Sequence, residues 1–237
     1  MDIQSIVYVI SATAAGALLQ GVTGLGLNLF ASPLLIMIEP RLIPGPIMAG
    51  ALLLTVLMVL RDRIRMNLRG IGWMGMGMLP GTALGSLLLP VIPLKELSLL
   101  LAALVLAGVI LSLSGLRFPP KWWILFAAGF LSGLGGTLAS IGAPPVALVN
   151  QEMEPRQLRA TLSGYFTLSA MAALAALAPI GRFQAAELRL TVWLLPGVVL
   201  GFLISIPLAR FLNKNLSRYA VLGLSAISAL VLILRVV

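Results

Sequence analysis

Two stretches gather most of the residues able to do chemistry in an otherwise apolar chain. The first reads Gln20-Gly21-Val22-Thr23-Gly24-Leu25-Gly26-Leu27-Asn28, then Ser32-Pro33. The second reads Ser132-Gly133-Leu134-Gly135-Gly136-Thr137-Leu138-Ala139-Ser140-Ile141-Gly142-Ala143-Pro144-Pro145, with Asn150 just beyond. Glycine costs a helix about 1 kcal/mol per residue relative to alanine. Proline brings φ near −65° and no N–H, which suits the first turn of a new helix. Each stretch is therefore expected to be a helix, a break, and a short second helix starting near Pro33 or Pro144, with Ser32 as an N-cap. A helix start inside a membrane presents unpaired N–H groups and the positive end of a dipole, a site suited to an anion. The candidate ligands are backbone at Gly21, Gly24, Gly26, Pro33, Gly135, Gly136, Gly142, Pro144 and Pro145. Uncharged hydrogen bonds would come from Gln20, Thr23, Asn28, Ser32, Ser132, Thr137, Ser140 and Asn150.

Other chemistry is excluded by what the chain lacks. It has no cysteine and no histidine. Thiol nucleophiles, disulfides, zinc sites with nitrogen or sulfur ligands and histidine-bound haem all fall away. The carboxylates Glu39, Asp62, Glu96, Glu152, Glu154 and Glu187 sit at the ends of apolar runs, so no buried acid–base pair is expected and the chain does not read as an enzyme. Lys95, Lys121 and Lys214 also lie at run ends, which removes a serine–lysine pair. No G-x-x-x-x-G-K-[ST] loop occurs, and neither a cofactor nor a resident metal is expected.

The elements that must position the two stretches are membrane helices. Of 237 residues, 60% are apolar and 10% charged, and mean hydropathy is +1.09. Soluble domains are about half apolar and a quarter charged, so lipid must be the solvent. Apolar runs fall at 4–20, 24–38, 44–60, 70–89, 95–115, 122–138, 157–179, 189–208 and 217–235. Trp73, Trp122, Trp123 and Trp193 each lie near a basic loop, where amphipathic rings favour the interface. The net charge of +9 sits in such loops and reads as orientation rather than nucleic-acid binding. The start, with Asp2 and no basic n-region, is not expected to be a cleaved signal.

The chain also repeats itself. Glu39-Pro40-Arg41 recurs as Glu154-Pro155-Arg156, Leu79-Pro80-Gly81 with Gly85 as Leu195-Pro196-Gly197 with Gly201, and Lys95 before Leu97-Ser98 as Lys214 before Leu216-Ser217. The offsets of 115, 116 and 119 point to a duplicated unit, with residues 1–116 and 117–237 as its copies in one membrane domain. If 4–20 and 24–38 form a hairpin that returns to its own side, each copy adds three crossings and the second copy is inverted. One face then carries Arg61, Arg63, Arg65, Arg69, Arg117, Lys121, Arg156, Arg159, Arg210, Lys214 and Arg218, which is 11 of 16 basic residues. Arg41, Lys95, Arg182, Arg189 and Arg235 fall on the other. Reading 4–38 as one broken crossing splits the charges 9 to 7 and demands a helix of ~52 Å across a ~30 Å core. The inverted arrangement is preferred, with the basic face cytoplasmic and both termini outside.

Several features have a plainer expectation. Gly77, Gly81 and Gly85, spaced by four, are read as a face for close helix packing. Tyr165 is read as a packing residue, Arg63 and Arg65 as topology determinants, and Glu39 and Glu154 as solvated partners of Arg41 and Arg156.

On these residues the chain resembles the TauE/SafE family of membrane transporters, also called the toluene-sulfonate uptake permeases. The likeness lies chiefly in Gly129 to Pro145, a glycine-rich run closing on a double proline. Arg159-Ala160-Thr161-Leu162-Ser163 with Tyr165-Phe166 resembles the stretch after it, and Gly24-x-Gly26 with Pro33 is a looser copy. The resemblance implies transport of small sulfur-containing anions such as sulfite, sulfonates or sulfoacetate. The expected protein is thus an all-α polytopic transporter of the inner membrane. It has two inverted repeats, each a glycine- and proline-broken hairpin plus three transmembrane helices, and its substrate is held at the midplane. An anion channel using the same hairpins as a filter is the alternative. Its partners are lipid and a small anion, and a homodimer is admitted but not required.

Overall fold

The computed structural model describes residues 2–62, 66–114, 118–211 and 214–236, the side chains of 210–221, 224, 235 and 236 excepted. Arg63, Arg65 and Arg117 lie outside the described residues, as do the side chains of Arg210, Lys214, Arg218 and Arg235.

Ten α-helices follow one another: α1 (Ile3–Thr23), α2 (Leu27–Ile38), α3 (Gly45–Asp62), α4 (Leu68–Leu88), α5 (Leu94–Leu113), α6 (Trp122–Ala139), α7 (Ala143–Val149), α8 (Pro155–Leu177), α9 (Ala185–Phe211) and α10 (Lys214–Val236). Each of the nine apolar runs falls on one helix, and α7 is the short helix expected after the second break. Among the described residues, seven helices (α1, α3, α4, α5, α6, α8 and α9) are long and apolar enough to cross a membrane. Leu60, Leu87, Ile110, Trp122, Leu203 and Ile204 are more than half exposed, as side chains facing lipid should be. The chain is an all-helical, multi-pass membrane protein.

Glycine sets the closest packing. On α4, Gly77 meets the backbone of Phe126 and Phe130, Gly81 that of Phe130 and Leu134, and Gly85 the carbonyl of Leu134 and the side chain of Thr137. From α6, Gly129 and Gly133 meet the carbonyls of Met74 and Met78. The contacts climb together along both helices, so α4 and α6 run parallel with their backbones touching. The spacing of four had predicted such a face for Gly77, Gly81 and Gly85. The pair α1 and α9 packs in the same manner. Gly197 sits against Ile10 and Thr13, Gly201 against Ala14 and Ala17, and Gly21 against Ser205.

The remaining pairings have the same exchange property. Helix α3 packs on α8 and α5 on α10, while α2 lies on α10 and α7 on α5. Exchanging α1–α5 with α6–α10 turns α2–α10 into α5–α7 and α4–α6 into α1–α9, and leaves α3–α8 and α5–α10 as they are. Asp62, the last residue of α3, meets Arg159 in the opening turns of α8. From that contact both helices run on beside one cavity, so α3 and α8 are antiparallel.

The breaks themselves are short. Gly24 (φ 90°) and Gly26 (φ 144°) reverse the chain between α1 and α2. Between α6 and α7 the left-handed residue is Ser140 (φ 60°). One expectation is corrected here. Helix α2 begins at Leu27 behind an N-cap at Gly26, so neither Pro33 nor Ser32 marks its start, and both are buried within it. Two positive-φ glycines complete the reversal in three residues, leaving no need for a later proline start. Pro144, by contrast, does stand in the first turn of α7.

Candidate functional site

An open cavity of about 40 Å³ lies between the two breaks. From hairpin α1–α2 it receives Gln20, Gly26, Asn28 and Leu29, and from hairpin α6–α7 Gly136, Ser140, Ile141, Gly142 and Ala143. The middle of α3 supplies Met48, Ala51 and Thr55, and the middle of α8 supplies Phe166, Ser169 and Ala170. Among the described residues, none that lines it is charged. Amides and hydroxyls face a partly apolar wall.

The hairpins contribute different chemistry. Ahead of the first helical hydrogen bond of α2, from Phe30 N–H to the Gly26 carbonyl at 2.9 Å, stand the amides of Leu27, Asn28 and Leu29. The Leu27 amide donates to Gln20 Oε1 at 3.1 Å, so Gln20 caps the reversal and offers its NH₂ group as donor. Asn28 Oδ1 is buried without a hydrogen-bond partner on a side chain that lines the cavity. At α7, Pro144 and Pro145 carry no N–H, and the first turn offers little beyond the Ala143 amide. Donors therefore come mainly from the first hairpin.

Of the predicted ligands, Gln20, Gly26, Asn28, Gly136, Ser140 and Gly142 are brought together at the cavity. The rest serve elsewhere. Thr23 Oγ1 donates to the Leu25 carbonyl at 2.6 Å and to the Leu19 carbonyl at 2.9 Å, locking the turn. Thr137 Oγ1 donates to the Gly133 carbonyl at 2.8 Å and its side chain faces Gly85 of α4. Gly21 packs on Ser205, Gly24 on Arg159, Gly135 on the Ile141 carbonyl and Pro144 on Gly108. Ser132 lies under Gly142, and Pro145 follows Pro144 in the first turn of α7. Asn150 Nδ2 donates to the Val146 carbonyl at 2.7 Å and lies 3.3 Å from Met74 Sδ. With Ser32 and Pro33 inside α2, these positions build the hairpins and lie outside the cavity lining.

Sequence reasoning missed Met48, Ala51, Thr55, Ser169 and Ala170. A signal existed: at the repeat offset of 115, Ala51 matches Phe166 and Thr55 matches Ala170. It also missed a charged cluster one step from the cavity. Arg159 Nε donates to Asp62 Oδ2 at 2.7 Å, and Arg61 Nε and Nη2 reach the same oxygen at 3.1 and 3.0 Å. Tyr165 is fully buried, as expected, its hydroxyl donating to the Gly129 carbonyl at 3.4 Å. Arg41, however, pairs with Glu187 at 2.9 Å, while Glu39 accepts from the Arg41 amide. That carboxylate raises the guanidinium pKa further, so Arg41 stays charged.

Helices with apolar outer faces, folded around a cavity that no charged residue lines among the described residues, define a multi-pass membrane protein. The chain belongs to the TauE/SafE family of membrane transporters: the family model described as "Sulfite exporter TauE/SafE" matches residues 8–232. No curated protein and no solved structure matches it.

Proposed function

We propose that this protein carries small sulfur-containing anions (sulfite, sulfonates, sulfoacetate) across the inner membrane by alternating access, with the solute held between the hairpin breaks. The observation that carries this reading is that one cavity is lined by both breaks at once. Support for two inverted copies comes from the exchange of helix pairings and from the antiparallel packing of α3 on α8. Rocking of one copy against the other would then expose the cavity to each side in turn. With both termini outside, the Arg61–Asp62–Arg159 end of the cavity faces the cytoplasm.

An uncharged cavity can still select an anion. The amides of Asn28 and Leu29 in the first turn of α2, the Gln20 NH₂ group and the positive end of the α2 dipole supply donors and potential without a fixed cation. The test is a thermal-unfolding screen in detergent, followed by tryptophan fluorescence, against sulfite, sulfate, thiosulfate, taurine, sulfoacetate, isethionate, acetate and phosphate. A ligand at a hundredfold excess over its Kd stabilises by about 2.7 kcal/mol. A rise in melting point with sulfite or a sulfonate, lost in Gly136→Leu, is the expected outcome. Stabilisation by cations or neutral solutes alone would overturn the anion assignment.

A further inference from the structure

We propose that Asp62, Arg159 and Arg61 form a latch that closes the cavity toward the basic face, and that among the described residues the opposite hairpin tip has no charged equivalent. This rests on the alternating-access reading above. Arg159 reaches both Asp62 oxygens, at 2.7 and 3.4 Å, and donates from Nη1 to the Val22 carbonyl at 3.3 Å. Arg61 donates to the Gly21 carbonyl at 2.8 Å and to Ser205 Oγ at 3.3 Å, and its guanidinium lies 5.4 Å from the centre of the Phe202 ring. The cluster therefore ties the tip of α1 to α3, α8 and α9 at one point.

Its position is that of a gate. Gly21 follows the cavity residue Gln20 directly. Thr55 and Phe166 lie seven residues inward from Asp62 and Arg159, about two helical turns or ~10 Å. Moving the α1 tip away from α8 would open that end, and it cannot move while the guanidiniums hold its last carbonyls. The three side chains are only 10–17% exposed. Charges at such depth are costly, and a plug of apolar side chains would stabilise a static fold as well. Polar groups that can be released and rehydrated suit a contact that must break in each cycle.

The other end is built differently. At the repeat offset of 115, Arg61, Asp62 and Arg159 correspond to Ala176, Leu177 and Pro44. There the hairpin tip is held by packing and by Ser140 Oγ donating to the Pro44 carbonyl at 3.5 Å. The ion pair on that side, Arg41 with Glu187, leaves Arg41 57% exposed and involves neither hairpin tip. Two inverted copies thus carry unlike gates, one charged and one apolar.

The chain has no cysteine, so Ser169→Cys provides a single reporter in the cavity. The experiment measures its labelling by a membrane-impermeant thiol reagent, from each face separately, in vesicles of either orientation. Asp62→Asn should speed labelling from the basic face by about tenfold and leave the other face unchanged, while Asp62→Glu stays near the parent rate. Should Asp62→Asn fail to fold, Arg61→Gln keeps the Asp62–Arg159 pair, frees Gly21 and Ser205, and should give a smaller gain on the same face. Unchanged rates, or equal gains from both faces, overturn the latch. Sulfite or a sulfonate slowing the reporter reads the cavity assignment independently. Such protection without any effect of Asp62→Asn or Arg61→Gln sinks the latch alone.

Discussion

Gly24 and Ser140, 116 positions apart, close the first helix of their hairpins in the same left-handed conformation, and each touches the start of α8 or α3 from the opposite half of the chain. Gly24 lies against Arg159, while Ser140 reaches the Pro44 carbonyl, and Arg159 and Pro44 are themselves 115 apart. The two positions do not tolerate the same residues. A Cβ on Gly24 would stand 3.1 Å from the Arg159 Cα at a φ of 90°, with backbone on the other side. Gly24→Ala should therefore destabilise by roughly 1–3 kcal/mol. Ser140→Gly removes a left-handed serine and one long hydrogen bond, and should stay within about 1 kcal/mol of the parent. Thermal unfolding followed by tryptophan fluorescence compares the two directly; equal losses would contradict the assignment.

The parallel α4–α6 contact makes a second contrast. A Cβ on Gly129 or Gly133 runs into the Met74 or Met78 carbonyl, whereas Gly72 and Gly75 on α4 have nothing within 4 Å. Gly129→Ala and Gly133→Ala should each cost about 1–3 kcal/mol because two backbones must separate. Gly72→Ala and Gly75→Ala should be neutral or gain up to ~1 kcal/mol from helix propensity. Melting temperatures of the four single variants decide it.

Transport and packing should separate at adjacent residues. Gly136 lines the cavity and the nearest atom to its added Cβ is 3.9 Å away, so Gly136→Ala should be tolerated. Gly136→Leu should fill the cavity and abolish both anion stabilisation and uptake into proteoliposomes, while the protein still elutes as a folded species. Full uptake by folded Gly136→Leu would remove the cavity from the pathway.

Thr137→Val tests the same point from the other side. Its hydroxyl bonds within α6 and its side chain faces α4, so the variant should lose about 1 kcal/mol of stability and keep its response to anions. Asn28→Leu removes a cavity amide and should weaken anion stabilisation about tenfold or more in concentration, with little change in the unliganded melting point. Dose–response curves for the two variants should therefore differ in opposite parameters.

In the Asp62 cluster, loss of Arg159 leaves Asp62 to Arg61 alone in a largely covered site. Arg159→Ala should cost about 1–3 kcal/mol, more than Arg41→Ala, which removes a guanidinium 57% exposed to water. Unfolding of both variants at low and high salt would show the difference, since the pair with the exposed guanidinium is screened more.

Much of this was legible in the residues alone. Apolar run length reveals helices because a membrane core imposes one length, and glycine with proline reveals breaks because neither supports a helix interior. Offsets near 115 between recurring motifs point to a duplication, and the spacing of Gly77, Gly81 and Gly85 announces a packing face. The resemblance in Gly129 to Pro145 named the family that the match over residues 8–232 places the chain in. What the order of residues could not contain is which side of each helix meets which neighbour. Helices apolar all round have no periodic stripe to read, so Thr137 and Ser140 looked equivalent as ligands until the rotation of α6 turned one toward α4 and the other toward the cavity. The same holds for Met48, Thr55 and Ser169, ordinary residues in ordinary spans until α3 and α8 crossed beside the breaks. Asp62 and Arg159 stand 97 positions apart at two helix ends. Only the antiparallel packing of α3 on α8 brings their charges within hydrogen-bonding distance, and only there does a pair of end-of-span residues become a closure over the cavity.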